Sequence, residues 1–219
     1  MLASQLINTH YPAINLTDKV SFALQLMEDY DVQHLPVINE EKLVGLVSKD
    51  DLLDADDNAF VSTLMDQFVH AAVKNDEFFL TAVKNISQQQ VSLLPVINEQ
   101  LELQGVITLP NLLQNISTFL GNDEPGGLIV LEVDKRNFSF GEVSRLVETN
   151  DAYITQLNTY TEAETGLVIV SVKINKAEVS DIVATFQRYD YQVRYYFGEE
   201  QFANELKENY NHLMSYLNM

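Results

Sequence analysis

The sequence predicts an α+β chain with two β-α-β-β-α repeats and a C-terminal βαββαβ unit. Three observations lead to this prediction: a hexapeptide that occurs twice, a cluster of chain-breaking residues near the middle, and a change of composition beyond it. With 219 residues, the chain is long enough for two domains. The predicted parts are a first repeat (1–60), a second repeat (61–120), a linker (121–127), the βαββαβ unit (128–198) and a terminal helix (199–219).

The repeat is carried by the hexapeptide LPVINE, which occupies residues 35–40 and again residues 94–99. At the same offset of 59, Thr17 corresponds to Asp76, and both are residue types suited to cap a helix. Apolar residues then follow at helical spacing in both copies: Val20, Ala23, Leu24 and Met27 in the first, and Phe79, Ala82, Val83 and Ile86 in the second. Farther on, Gly45-Leu-Val-Ser corresponds to Gly105-Val-Ile-Thr.

Short apolar runs around each hexapeptide predict a pair of strands. The predicted strands are Val32–Ile38 and Leu43–Val47 in the first repeat, and Leu94–Ile97 and Leu103–Ile107 in the second. A unit of about 60 residues buries too little apolar surface to be stable alone. We therefore expect the two repeats to pack sheet against sheet about a pseudo-twofold axis.

Both repeats share one longer motif: LPVIN followed by G-h-h-S/T-x-x-D/N, where h is apolar. Two copies of this motif resemble a pair of CBS domains, the Bateman module. The resemblance covers about residues 1–120. It implies a regulatory protein that is not an enzyme and whose paired repeats bind an adenosine-containing effector such as AMP, adenosine or S-adenosylmethionine. It also implies a homodimer that acts on a regulated partner protein and needs no cofactor.

The linker reads Gly121-Asn-Asp-Glu-Pro-Gly-Gly127, and all four arginines follow it. Beyond it the pattern predicts strands and helices in the order βαββαβ, the ferredoxin-like plan. The predicted strands are Leu128–Val133, Ala152–Thr159, Leu167–Val172 and Gln192–Phe197. The helical stripes are Phe140, Val143, Leu146 and Val147, and then Val179, Ile182, Val183 and Phe186.

The phrase EVSRLVETNDAYI, residues 142–154, resembles an ACT domain. A CBS pair followed by an ACT-like domain is similar to the accessory protein family of acetoin utilisation. ACT domains that bind amino acids usually carry a glycine in the loop after the first strand, where this chain has Phe138. Because that side chain would crowd a ligand against the backbone, we expect no amino-acid site here.

Residues 199–219 predict an amphipathic helix. Its apolar stripe consists of Phe202, Leu206, Tyr210, Leu213 and Leu217. The stripe can pack on its own domain, or it can dock on a second subunit. The pattern leaves both arrangements open.

The first candidate binding site is Ser48, Lys49 and Asp51, where a predicted strand ends and a short helix begins. A hydroxyl and backbone N–H groups at a helix start suit a phosphate, and Lys49 could reach it. Asp51, three residues on, could accept hydrogen bonds from both hydroxyls of a ribose. The alternative is that Ser48 only caps the helix and that Asp51 only occupies its first turn.

The second candidate site repeats this pattern with Thr108 and Asn111. Asn111 accepts through one oxygen only, so ribose binding is expected to be weaker, and helix capping is again the alternative. His34 lies at the strand position where many CBS repeats carry a basic side chain, and its counterpart is Leu93. His34 could donate to a phosphate, or it could be a partly buried edge residue.

Charge and composition exclude several classes of function. The net charge of −19 argues against binding to nucleic acid or anionic membrane. The chain has no cysteine, and its four histidines show no zinc-binding spacing. We found no nucleophile paired with a base, no secretory signal and no membrane span, so we expect a cytoplasmic protein that is not an enzyme.

The charge also constrains the effector. Residues 1–120 contain five lysines and no arginine against sixteen acidic residues, a net charge of −11. This shortage of cations favours adenosine, AMP, a cationic relative such as S-adenosylmethionine or a metal-chelated nucleotide over a free triphosphate. The competing hypothesis is an interaction scaffold that binds no ligand, dimerises and holds a partner protein.

Overall fold

The computed structural model describes residues 1–198, which form parts of two compact units, Met1–Ile116 and Ser117 onward. The terminal helix that the sequence predicts over residues 199–219 lies outside the described residues. Each unit is described by itself below.

The N-terminal unit consists of two copies of one strand-helix-strand-strand-helix plan. The first copy comprises β1 (Ile14–Asn15), α1 (Val20–Asp29), β2 (His34–Asn39), β3 (Lys42–Ser48) and α2 (Lys49–Leu53). The second comprises β4 (Val73–Lys74), α3 (Leu80–Gln89), β5 (Leu93–Ile97), β6 (Leu103–Thr108) and α4 (Leu109–Phe119). The architecture is that of a CBS-domain pair, as the repeat predicted.

Each repeat has a three-stranded sheet with the same topology. The strand orders are β1-β2-β3 and β4-β5-β6; the first pair in each is parallel and the second antiparallel. An antiparallel bridge between Lys42 and Glu102 links the sheets, with backbone hydrogen bonds from Leu43 N to Leu101 O (2.9 Å) and from Leu103 N to Glu41 O (3.0 Å). Buried residues of both repeats form one hydrophobic core, so neither repeat has a complete core of its own.

Each repeat is completed by a segment that the repeat pattern assigns to the other. The 3₁₀ helix Ala3–Leu6 begins with a hydrogen bond from Ala3 N to Glu77 O of the second repeat (2.8 Å). The 3₁₀ helix Val61–Gln67 begins with one from Val61 N to Asp18 O of the first (2.9 Å). The segments cross over between the repeats, and this exchange ties the two repeats into one unit.

The predicted helical stripes are confirmed, but the predicted helix caps are wrong. Val20, Ala23 and Met27 are buried on α1, and Ala82 and Ile86 are buried on α3. The capping positions are Lys19 and Phe79, not Thr17 and Asp76, and neither makes a side-chain cap hydrogen bond. The helices begin later because turns follow the short strands β1 and β4.

The C-terminal unit has the predicted order βαββαβ. Its elements are β7 (Gly127–Val133), α5 (Phe140–Glu148), β8 (Ile154–Thr161), β9 (Val168–Ile174), α6 (Ser180–Arg188) and β10 (Gln192–Phe197). The antiparallel sheet has the strand order β10-β7-β9-β8, which is the ferredoxin-like arrangement. β8 begins two residues later than predicted.

The core of this unit lies between one face of the sheet and the two helices. Ile129 and Leu131 of β7 pack with Val143 and Leu146 of α5 and with Phe186 of α6. Phe138 is half-buried and packs against the same core, so its side chain fills space at the loop after β7. This packing gives Phe138 a structural role in the loop after β7.

Candidate functional site

The first candidate site lies where β3 ends and α2 begins. Ser48 is the capping residue of α2, and its Oγ accepts a hydrogen bond from Asp51 N (3.1 Å). The same hydroxyl donates to Asp51 Oδ2 (2.5 Å). The two side chains are half-buried, and the expected pair at a spacing of three residues exists as a closed hydrogen-bonded unit.

The backbone donors at this helix start are largely engaged. Lys49 N donates to Gln33 O (2.9 Å), and Asp51 N donates to Ser48. A phosphate at this position would have to displace Asp51 from the Ser48 hydroxyl, and it would face the Asp50 and Asp51 carboxylates. The geometry therefore shows the capping arrangement, and it favours ligand contacts through the Asp51 carboxylate over contacts through a phosphate.

His34 lies next to this pair, because β2 and β3 pair His34 with Ser48. Its Nδ1 accepts a hydrogen bond from Ser92 N of the second repeat (3.2 Å) and lies 3.0 Å from Ser92 Oγ. Since a backbone N–H can only donate, Nδ1 accepts and the neutral ring carries its proton on Nε2. His34 thus joins the two repeats beside the first site.

Burial determines the charge of His34. Desolvation lowers the pKa of the His34 imidazole, and the nearby Asp51 and Asp50 carboxylates oppose that shift without cancelling it. The ring is therefore neutral at pH 7. It can donate one hydrogen bond from Nε2, but it does not supply the positive charge that a phosphate would require.

The second candidate site is occupied by the protein's own groups. Thr108 is buried, and Asn111 N approaches its Oγ1 at 3.5 Å. Asn111 Nδ2 donates to Leu6 O (2.7 Å), and Asn111 Oδ1 accepts from Asn115 Nδ2 (2.8 Å). Both ends of the Asn111 amide are therefore used to hold the N-terminal segment and α4.

The structure brings together Ser48, Asp51 and His34, and the half-buried Lys49 is adjacent to Ser48 in sequence. It places Thr108 and Asn111 at the equivalent point of the other repeat. Sequence reasoning missed Ser92, which contacts His34, and the Leu6 carbonyl, which contacts Asn111. Neither contact has a local signal, because the partners are 58 and 105 residues apart.

Among residues 1–198, no cluster of three or more His, Asp or Glu side chains is arranged to hold a metal ion.

The depressed pKa of His34 predicts a pH dependence of stability. The unfolded chain takes up a proton at this ring near pH 6.5, whereas the folded protein takes it up only at lower pH. The His34 contribution to stability is therefore fully present above about pH 6.5 and is lost as the pH falls through the folded-state pKa.

Melting curves between pH 5 and pH 8 for the parent chain and for His34→Asn test this dependence. Asparagine keeps an acceptor for Ser92 N but does not titrate, so the difference between the two melting temperatures should shift in favour of the variant as the pH falls. A difference that is constant over this range would contradict the prediction.

Comparisons with known proteins agree with the architecture of the N-terminal unit. Residues 3–58 match the family model of the CBS domain. A crystal structure of a CBS domain pair/ACT domain protein from Thermotoga maritima is similar in fold, with a TM-score of 0.51 and 22% identity. The similarity covers 55% of this chain and 99% of that one.

Curated relatives share only part of their length with this chain. A homoserine O-acetyltransferase from Methanobrevibacter ruminantium is 31% identical over 125 residues, which are 54% of this chain and 24% of the relative. An inosine-5'-monophosphate dehydrogenase from Methanocaldococcus jannaschii is 33% identical over 99 residues, or 44% of this chain and 20% of the relative. The chain thus spans about a quarter or less of the curated relatives it matches.

Proposed function

We propose that this chain is a regulatory protein, not an enzyme, whose N-terminal unit binds an adenosine-containing ligand at Ser48 and Asp51. CBS-domain pairs commonly bind adenosine ligands and serve regulatory roles, which is what the matching family implies. The observation that carries the proposal is the half-buried Asp51 carboxylate, fixed by Ser48 at the start of α2 and adjacent to a neutral His34. Such a carboxylate can accept from the two hydroxyls of a ribose.

The charges around Ser48 and Asp51 favour a ligand with little negative charge. Asp50 and Asp51 lie within electrostatic reach of His34, and the ring itself is neutral. The Ser48 hydroxyl already exchanges hydrogen bonds with Asp51, and the backbone N–H groups of Lys49 and Asp51 already have acceptors within the protein. Adenosine or a cationic adenosyl compound of the S-adenosylmethionine type therefore fits better than AMP, and AMP fits better than a triphosphate.

The two repeats contribute unequally to binding in this proposal. The Asn111 amide holds Leu6 O and Asn115, so a ribose could engage it only after these contacts break. Among residues 1–198, Asp51 has hydrogen bonds to the Ser48 side chain, three residues earlier and within the same turn. We therefore expect one ligand per chain, bound at the first repeat.

Titration calorimetry of the full chain with adenosine, AMP, ATP and S-adenosylmethionine tests the proposal. For a ligand that binds, Asp51→Ala should weaken the affinity about 10- to 100-fold, since a hydrogen bond to a charged group contributes about 1.5–3 kcal/mol. Asn111→Ala is the matched control at the second repeat, and it should leave the affinity and the stoichiometry of one per chain unchanged. Absence of heat with all four compounds, or equal losses in both variants, would contradict the proposal.

A ligand-free scaffold is the second candidate, and the closed Ser48–Asp51 pair is the observation that favours it. The two hypotheses differ in thermal stability with ligand. At a concentration a hundredfold above its dissociation constant, a ligand that binds only the folded state stabilises it by about 2.7 kcal/mol. A panel of adenosine compounds that leaves the melting temperature unchanged would favour the scaffold.

Several further properties belong to this proposal. The ligand would act by binding one arrangement of the repeats better than another, and a homodimer with a regulated partner protein would transmit the change. We also propose that the C-terminal unit has an ACT-like role, that the chain belongs to the acetoin-utilisation accessory family and that the protein is cytoplasmic. Across residues 1–198, the structure contains no helix that is both long enough and apolar enough to cross a membrane.

A further inference from the structure

The sheet of the C-terminal unit has one face turned away from α5 and α6, which we call the open face. Ile129 and Leu131 of β7 belong to the helix-packed core, so Leu128 and Val130, which alternate with them, lie on the open face. Strand pairing across β7, β9 and β8 gives this face two neighbouring rows of side chains. The first row is Leu128, Lys173 and Gln156, and the second is Val130, Ser171 and Asn158.

Four polar side chains of these rows form a compact patch. Lys173 lies opposite Gln156, and Ser171 lies opposite Asn158. Cross-strand partners have their Cβ atoms about 4.5–5.5 Å apart, and residues two apart along a strand are separated by about 7 Å. One small molecule can therefore reach all four polar groups at once.

A groove of about 270 Å³ is lined by this patch together with Leu128 of the sheet and with Leu120 and Asn122, which precede β7. Lys173 Nζ donates a hydrogen bond to Gly121 O, and this contact holds the segment before β7 at the groove. The volume is just below the range of about 300–1,000 Å³ that is usual for small-molecule pockets. The groove thus suits a ligand smaller than a nucleotide.

The polar groups of the groove are available to a ligand. The side chains of Gln156, Asn158 and Ser171 form no hydrogen bond to another residue within the part of the chain that the structure describes. Lys173 uses one of its three ammonium N–H groups for Gly121 O. The groove therefore offers an ammonium, a hydroxyl and two amide NH₂ groups, all of which can donate.

Charge determines which ligand these donors favour. Among the described residues that line the groove, Lys173 is the one charged side chain, in a chain whose net charge is −19. A carboxylate would gain a charge-assisted hydrogen bond from Lys173. The ammonium group of an amino acid would find no carboxylate there and would be repelled by Lys173. Leu120 and Leu128 add apolar surface for a short aliphatic chain.

We propose that this groove binds a small carboxylate that carries one negative charge and a short aliphatic chain. The carboxylate accepts hydrogen bonds from Lys173, Ser171 and the neighbouring amides, and the aliphatic chain lies against Leu120 and Leu128. Because residues 120–122 form one wall, the bound ligand also holds the segment before β7 against the sheet. The site belongs to the C-terminal unit and does not depend on adenosine binding in the N-terminal unit.

Nitrogen–proton NMR spectra of the full chain test the proposal by titration with isovalerate, isovaleramide and isopentylamine at constant ionic strength. The three compounds share a branched aliphatic tail and differ in the charge of the head group. We expect isovalerate to shift, saturably, the backbone signals of Gly121, Ser171 and Lys173 and the side-chain NH₂ signals of Gln156 and Asn158. Isovaleramide should bind about 10-fold more weakly, since it loses the charge-assisted hydrogen bond, and isopentylamine should not shift these signals.

Three variants locate the binding. Lys173→Met keeps the apolar stem and removes the charge, so it should weaken isovalerate binding about 10-fold. Asn158→Asp keeps the contact between Lys173 and Gly121, adds a negative charge at an exposed position and should weaken binding as well. Lys176→Met is the matched control, because Lys176 is also half-buried and donates to a backbone carbonyl, that of Asn150, but does not line the groove. It should leave the affinity unchanged.

The proposal would be overturned if isovalerate shifted none of the groove signals, or if isovaleramide bound as tightly as isovalerate. Full affinity in Asn158→Asp would have the same consequence, and so would equal losses in Lys173→Met and Lys176→Met. The backbone signals of Ser48 and Asp51 report the adenosine site in the same spectra. They should not move with isovalerate, so the two proposals stand or fall separately.

Discussion

Phe79→Ala is expected to destabilise the N-terminal unit by about 3–5 kcal/mol, the usual cost of removing a buried aromatic ring. Phe79 is completely buried and is among the largest side chains in the shared core of the two repeats. Its ring packs edge-to-face against Phe78 with 5.1 Å between centroids. The core around it is built from both repeats, so a cavity at this point weakens the whole unit.

Differential scanning calorimetry of the full chain measures this effect, with the transition of the C-terminal unit as an internal reference. Phe78→Ala is the matched control, because it removes the same ring from a position that is 45% exposed. We expect a loss of about 1 kcal/mol or less from the control. Equal losses from the two variants would show that burial in the shared core does not decide the stability.

Gly105→Ala is expected to lower the free energy of unfolding by about 3 kcal/mol and to loosen the N-terminal segment. Gly105 has a φ of +142°, a conformation that side-chain-bearing residues rarely adopt. An added Cβ would lie 2.9 Å from Asn8 O and 2.5 Å from Ile7 Cγ2. Asn8 forms a reciprocal pair of backbone hydrogen bonds with Val106 (2.8 and 3.0 Å), so the substitution would push this pairing apart.

Hydrogen exchange of the Asn8 and Val106 amides measures the loosening of this pairing, and thermal melting measures the loss of stability. Gly45→Ala is the control at the equivalent position of the first repeat. Its φ is not positive, and its added Cβ would be closest to Phe68 Cβ at 2.9 Å. We expect the smaller loss there, because only the steric term acts, and a loss at Gly45 that equals the loss at Gly105 would contradict this explanation.

The architecture could be predicted from the sequence because it depends on local patterns of residue type and spacing. The doubled LPVINE hexapeptide and the stripe at Val20, Ala23 and Met27 predicted the paired repeats, and the structure shows them. Short apolar runs and two helical stripes of apolar residues predicted the βαββαβ order beyond residue 127. The helix caps failed because Thr17 and Asp76 fall in turns before the helices, and a residue type suited to capping does not fix where a helix begins.

The state of the candidate site was less predictable. The spacing of Ser48 and Asp51 correctly placed both side chains at the start of α2, but it could not distinguish a ligand site from a helix cap. The structure shows their mutual hydrogen bonds, and the calorimetric comparison of Asp51→Ala with Asn111→Ala decides whether a ligand also uses them. Thr108 and Asn111 repeat the pattern in sequence, yet the Asn111 amide binds the Leu6 carbonyl.

By itself, then, the sequence determined the repeats, the order of elements and the excess of acidic residues, since each of these follows from residue type and near-neighbour spacing. Only the tertiary structure decided the contacts of the site. The neutral state of His34 depends on its burial, its ring is hydrogen-bonded to Ser92, 58 residues away, and the closure of the second site depends on a carbonyl 105 residues away. Desolvation and hydrogen bonding act through space, so no local pattern in the sequence records them.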